Sequence, residues 1–179
     1  MSNDVSSDVR VRRVGAADDV CDGLAAVLVD CVEGGASVGF MLPLPLERAA
    51  AFWRRVLDDA DHGNRIVFVA EDLATGEILG TVQLVLAPAE NQPHRADVSK
   101  MLVRGRARRR GVGERLMRAA EEAALEIGRT VLVLDTATPE AERLYERLDW
   151  QRAGVIPDFA LLPAGGLVDT TFYFKRLTA

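Results

Sequence analysis

The chain has few of the residues that build metal sites or disulfide frameworks. Among its 179 residues are two cysteines, Cys21 and Cys31, and two histidines, His62 and His94, none at ligand spacing. A zinc site or a disulfide scaffold is therefore not expected, and no metal is assigned. No apolar run approaches the ~20 residues needed to cross a bilayer, and the opening MSNDVSSDVR lacks the basic-then-apolar order of a secretory leader. A cytoplasmic protein with no membrane partner is expected. Positive charge is not in excess either: the net charge is −5. That argues against broad nucleic-acid binding and mildly favours cationic small substrates. Repeats, low-complexity tracts and internal linkers are also missing, so one domain over 9–179 behind a flexible polar tail over 1–8 is expected.

What is present is ample apolar material, 49% of the residues, enough to bury a core without staples. Alternation predicts a strand over 9–14, and helical periodicity predicts a helix over 16–32 with Leu24, Val27, Leu28 and Cys31 on one face. Glycines then break the chain into a loop over 37–44, followed by a helix over 46–60 carrying Phe52, Trp53, Val56 and Leu57. Strands over 65–71 and 78–86 are joined by a short Gly-containing turn, which reads as a hairpin. A strand over 96–103, a helix over 112–127 stopped by Gly128, and the continuous run Val131-Leu132-Val133-Leu134 make a parallel βαβ unit, the last strand buried on both faces. Thr138 caps a helix with Pro139 at its first position and an apolar stripe of Ala141, Leu144, Tyr145 and Leu148. Strands over 151–155 and 170–177 flank a Pro/Gly-containing excursion. The expected fold is α/β (α+β), a mixed central β-sheet flanked by helices.

The strongest chemical signal is Arg108-Arg109-Arg110-Gly111-Val112-Gly113 between a strand and a helix. Glycines there let unpaired backbone N–H groups converge on one point, and the helix dipole and nearby arginines add to its pull on an anion. A phosphate or pyrophosphate site follows. The spacing is neither the GxxxxGK[ST] of a P-loop nor the GxGxxG of a dinucleotide fold, which disfavours ATP and NAD. A ligand-free structural turn is one competing reading. A nucleic-acid stripe that adds Arg104 and Arg106 is another, weakened by acidic and apolar flanks.

This pattern resembles the GCN5-related N-acetyltransferase (GNAT) family. The family's Arg/Gln-x-x-Gly-x-Gly/Ala motif is matched by Arg108-x-x-Gly111-x-Gly113, with Leu116 following, and its Ala-x-x-Leu-Tyr-Glu element by Ala141-Glu-Arg-Leu144-Tyr145-Glu146. Around His94 to Val98 and Gly154 to Asp158 the sequence is similar to the branch containing tabtoxin-resistance acetyltransferases. Two positions depart from the pattern: Thr138 stands where Asn is frequent, and Asp149 where Gly is usual.

The resemblance implies an acetyl-CoA-dependent N-acetyltransferase acting on a small-molecule amine by direct attack. It implies that the strand ending at Val103 and the one ending at Asp135 splay to admit pantetheine. Backbone groups of Met101, Leu102 and Val103 would pair with it, one N–H polarising the thioester carbonyl. The N–H groups of Arg109, Arg110, Gly111, Val112, Gly113 and Glu114 would hold the pyrophosphate, with Arg108 and Arg110 as side-chain contacts and Thr138 nearby. With a pKa near ~10, an alkylamine is neutral only about one time in a thousand at pH 7, so a base is needed. Asp97, placed by alternation on the same face as Ser99, Met101 and Val103, and Asp135 are the candidates; His94 and Glu71 are substitutes. Tyr145 matches the position of the acid that protonates the departing thiolate. A buried tyrosine with its hydroxyl hydrogen-bonded is the structural alternative.

Acceptor choice is expected from the loop 34–44, the helix start near Phe52 and the excursion 158–171. Asp158 and Asp169 there are candidate partners for an ammonium group, and Phe40 and Met41 either line a pocket or pack under the loop. A protein N-terminal or lysine acetyltransferase, a non-catalytic acetyl-CoA-binding module and a plain interaction domain remain alternatives. The resemblance also suggests a homodimer.

Overall fold

The computed structural model describes residues 8–178, so the expected tail lies outside the described residues except for Asp8. Seven strands form one sheet in the order β1-β2-β3-β4-β5-β7-β6. They are β1 (Val9–Val14), β2 (Arg65–Asp72), β3 (Ile78–Leu86), β4 (Arg95–Val103), β5 (Val131–Thr136), β6 (Gln151–Leu161) and β7 (Leu167–Arg176). All neighbours are antiparallel except β4 and β5. That parallel pair is the βαβ unit expected from the sequence. Helices α1 (Cys21–Glu33) and α2 (Leu46–Asp61) cover one face; α3 (Val112–Glu126) and α4 (Pro139–Arg147) cover the other.

Helix α1 starts five residues later than periodicity predicts. The Asp18 carboxylate accepts from the Gly15 N–H at 2.9 Å and holds the chain in a turn, a local alternative to helix that Asp side chains offer. Helix α3 ends as expected, with Gly128 at φ 75° and the Arg129 N–H returning to the Ala124 carbonyl at 2.7 Å. Thr138 caps α4 through its hydroxyl, which accepts from the Ala141 N–H at 3.4 Å.

Three expectations need correction. The excursion after β6 is an extended hairpin: Ala160 pairs with Val168 and Leu161 with Leu167, closed by a turn in which Leu162 N–H donates to the Gly166 carbonyl at 2.9 Å. Pro157 is tolerated because β6 is the edge strand and the register shifts between Ile156 and Ala160. In β5 only Leu132 and Leu134 are fully buried, since the α1/α2 cluster includes no β5 residue. Finally, Lys100 adopts φ 51° in a β-bulge of β4 opposite the register shift between Thr81 and Gln83. The extra residue reverses the alternation: Ala96 and Val98, then Met101 and Val103, face the α3/α4 core, whereas Leu102 faces α1/α2. Asp97 therefore does not share a face with Met101 and Val103.

Candidate active site

Strands β4 and β5 pair only from Arg95 to Asp97 and from Val131 to Val133. Beyond that point β4 continues along β3 to Val103, and β5 continues along β7 to Thr136. A wedge opens between them. Each strand keeps backbone N–H and C=O groups with no strand partner on the wedge side, ready to bond an extended ligand carrying amides. A cavity of about 920 Å³ occupies the wedge and reaches from the α3 N-terminus to the loop after α1 and the β6–β7 hairpin.

At one end lies the glycine turn. Arg109 at φ 61° and Gly111 at φ 74° both take the left-handed conformation, turning successive amides to the same side. None of the N–H groups from Arg109 to Glu114 meets a backbone carbonyl among the described residues; the next, that of Arg115, bonds Gly111 at 3.1 Å. A β-carbon on Gly113 would sit 3.1 Å from the Leu144 side chain and 3.7 Å from the Met101 sulfur, so its role is close packing of α3 on the strand and on α4. Arg108, Arg109, Gly111, Val112, Gly113, Glu114 and Thr138 line the cavity. Arg110 does not; its charge acts instead on Asp72, at the end of β2. Arg104 and Arg106, candidates for a nucleic-acid stripe, both pair with Glu77. Arg108 Nε donates to the Val103 carbonyl at 3.2 Å, which thereby has a protein partner, while Met101 and Leu102 also line the wedge.

The wedge brings Tyr145 and Asp135 together from opposite faces of the sheet. Tyr145 comes from α4, is 4% exposed, and packs beside Trp150 and Tyr173 with ring centroids 6.0 Å away. Its hydroxyl forms no protein hydrogen bond among the described residues, unlike the bonded core tyrosine that was the structural alternative. Burial, and then the Asp135 charge, push its pKa well above the ordinary phenol value. Asp135 stands on the other face, because Leu132 and Leu134 point to the α3/α4 core. It is exposed to the cavity and accepts from the Thr170 hydroxyl at 2.8 Å.

Asp97 is not drawn in. It pairs with Arg95 at 2.6 Å, its side chain is 43% exposed, and it is absent from the cavity wall. The substitutes also lie elsewhere. Glu71 is held by Arg10 and Arg12 at 2.8 and 3.0 Å, and their guanidinium groups lower its pKa. His94 precedes β4 at the paired end of the strands, where its carbonyl accepts from Thr130 and Val131. Asp169 lines the cavity, whereas Asp158 uses its N–H to bond the Asp169 carboxylate at 3.0 Å. Phe40 packs edge-on against Phe52, while Met41 is exposed. Lys100, Thr170, Arg143 and Arg147 line the cavity as well, and the sequence reading singled out none of them. The α4 arginines had a legible signal, since they lie within the tyrosine helix at i, i+4 spacing on either side of Tyr145; Lys100 had none, because a bulge leaves no local pattern.

The sequence profile of the acetyltransferase (GNAT) domain matches residues 63–152. An uncharacterized N-acetyltransferase from the hisH-hisA intergenic region of Azospirillum brasilense is 35% identical over 137 residues, which is 72% of this chain and 76% of that protein. The chain belongs to the GNAT acetyltransferase family. The fold of this GNAT chain is correspondingly similar to an N-acetyltransferase from Staphylococcus aureus Mu50, with a TM-score of 0.80, 18% identity and coverage of 96% of this chain and 100% of that one. It is also similar to yncA of Salmonella typhimurium, solved with its cofactor acetyl-CoA, with a TM-score of 0.78, 18% identity and coverage of 97% and 96%. A ribosomal-protein-alanine N-acetyltransferase from Brucella melitensis has a TM-score of 0.76 and 23% identity, covering 94% of this chain and 99% of that one. This GNAT enzyme is an N-acetyltransferase with acetyl-CoA as co-substrate. Among the described residues no helix is long and apolar enough to cross a membrane, and no group of three or more His, Cys, Asp or Glu is placed to hold a metal ion.

Proposed function

We propose that this GNAT enzyme acetylates the primary amine of a small molecule by direct attack. The observation that carries the reading is the closure of the acceptor end. The Ser37 hydroxyl donates to the Leu161 carbonyl at 3.1 Å, and the Leu42 N–H donates to the Pro163 carbonyl at 2.9 Å. The loop after α1 is thereby tied to the tip of the β6–β7 hairpin, a roof where a peptide substrate would need an open groove.

Acetyl-CoA supplies an activated acetyl thioester. The residues present fit such a group: six amides with no backbone carbonyl partner among the described residues and two arginines at the glycine turn, leading into a wedge whose edges carry backbone groups without a strand partner. In this reading the amides from Arg109 to Glu114 hold the pyrophosphate, and backbone groups at Met101 and the Val103 N–H bond the pantetheine amides and polarise the carbonyl, since the Leu102 backbone is turned to β3. Asp135 takes the proton of the acceptor ammonium, directly or through a water, with the Thr170 hydroxyl bonded to one carboxylate oxygen. Tyr145 keeps its proton at neutral pH because its ionisation is suppressed, and delivers it from the opposite face to the departing sulfur. Asp97 has no part.

The test is the thermal midpoint with acetyl-CoA, followed by CoA release against a panel of primary amines and N-terminal peptides. Ligand at a hundred times its dissociation constant stabilises by ~2.7 kcal/mol, roughly 5 °C for a domain of this size. Turnover of free amines supports the reading; turnover of peptides alone overturns it in favour of a protein acetyltransferase.

A further inference from the structure

Two opposite charges line the same wall of the cavity without pairing. The Lys100 ammonium lies 5.9 Å from the centroid of the Phe52 ring and makes no hydrogen bond or ion pair among the described residues. Asp135 acts on it through its charge, without forming an ion pair with it among the described residues. Both stand on the α1/α2 face, on strands that diverge from their last pairing at Asp97 and Val133. The bulge holds Lys100 there, since its φ of 51° is a conformation that a lysine rarely takes. Nearby, Gln83 pairs with Ser99 across β3 and β4; it is 1% exposed, accepts from Arg65 at 2.8 Å, and has no partner for its Nε2. Ser99 lines the cavity. Lys100 thus borders the cavity with no ion-pair partner among the described residues, and a carboxylate answers it; Gln83 lies behind that stretch of strand and does not line the cavity.

We propose that Lys100 receives the carboxylate of the acceptor while Asp135 faces its amine, so that the acceptor is a small amino-carboxylate. This rests on the small-molecule reading above and narrows it. The ammonium and carboxylate of such a zwitterion meet charges of opposite sign in the protein, and Lys100 and Asp135 are kept apart so that each is free for the ligand. Burial lowers the Lys100 pKa and the Asp135 charge works against that, so a bound carboxylate would restore the solvation the lysine has lost. The Phe52 ring under the ammonium gives it a cation–π partner and leaves its N–H donors for the ligand.

The experiment compares CoA release from phenylalanine, phenylalaninamide and phenethylamine, and from β-alanine and propylamine. It is run with the wild type and with Lys100→Met and Lys100→Arg, after thermal shifts with acetyl-CoA establish that each variant is folded. The wild type is expected to prefer the carboxylate in at least one set by about 10- to 100-fold in kcat/KM, as a charge-assisted bond provides. Lys100→Met should bring that ratio to near one through KM, and Lys100→Arg should retain most of it. Equal use of carboxylates and their amides by the wild type overturns the inference and leaves the small-molecule reading standing. A Lys100→Met variant that loses kcat alike on both members of a set also overturns it. If acetyl-CoA stabilises the protein but only peptides are acetylated, the small-molecule reading fails, and this inference with it.

Discussion

The Thr170 hydroxyl donates to the Asp135 carboxylate at 2.8 Å and lies 3.2 Å from the Thr136 carbonyl, tying β7 to β5 at the open end of the wedge. Thr170 is 3% exposed, so the donor is held in place by its packing and orients the cavity-exposed carboxylate before substrate arrives. Asp135→Asn should lower kcat/KM by about 10²- to 10⁴-fold, the range for loss of a general base. Thr170→Val should cost about 10-fold, because the carboxylate remains but loses its orientation. Asp97→Asn should leave both kcat and KM near wild type. Steady-state CoA release for the three variants checks the order, and equal losses for Asp97 and Asp135 would remove Asp135 from the mechanism.

Tyr145 has a buried ring and a hydroxyl with no hydrogen bond among the described residues. Tyr145→Phe should therefore cost less than about 1 kcal/mol of stability, since no protein hydrogen bond is lost. Turnover should fall about 10²-fold with the acetyl-CoA thermal shift retained. Unfolding in urea together with kcat separates the two effects.

Gly111 sits at φ 74° with open space where a β-carbon would go. Gly111→Ala should cost about 1–2 kcal/mol from backbone strain alone. If the chain relaxes that strain by turning the local amides, the shift with acetyl-CoA shrinks as well. A variant that keeps both stability and the full shift would separate the left-handed turn from anion binding.

Far from the cavity, Glu121 bonds Trp150 Nε1 at 2.8 Å and Lys175 Nζ at 2.7 Å, linking α3 to the start of β6 and to β7. Glu121→Gln keeps an acceptor for Trp150 and should cost about 1–3 kcal/mol. Glu121→Ala leaves the Trp150 indole N–H without its acceptor and Lys175 with only the Leu148 carbonyl, and should cost about 3–5 kcal/mol, without change in KM for acetyl-CoA. Urea midpoints and KM values check the pair.

At acid pH the β1–β2 edge should loosen. Side-chain hydrogen bonds and charge from Arg10 and Arg12 hold the Glu71 pKa below its ordinary value. A carboxyl with a depressed folded pKa contributes stability above its unfolded pKa and loses it as pH falls through the folded one. Asp18 and Asp59 are lowered too, chiefly by a hydrogen bond from the Gly15 N–H and by one from Asn64. Thermal midpoints should therefore drop below about pH 5, and Glu71→Gln should be less stable at pH 7 with a shallower acid slope. Identical slopes for the two proteins would show that Glu71 is not linked to folding.

Local chemistry was legible in the chain. The left-handed glycines at 111 and 128, the Thr138 cap with Pro139 behind it, and the helical stripes of α1 to α4 all stand where residue type and spacing place them. Their determinants lie within a few residues of one another. The glycine turn before α3 was legible for the same reason. Gly15 and Asp18 delayed α1 because a side-chain bond competed with helix, and Pro157 obscured the length of β6 because only its place at the sheet edge makes a proline acceptable there.

The sequence by itself determined the elements, the turn and the tyrosine that follows it, because backbone preference and hydrophobic period are properties of short segments. Tertiary structure alone decided which of two aspartates reaches the cavity, which arginines face outward, and that Lys100 points inward. The physical reason is pairing. One bulged residue in β4 reverses every side chain beyond it, and the point at which β4 and β5 part sets which side chains border the wedge; both depend on partners far away in the chain.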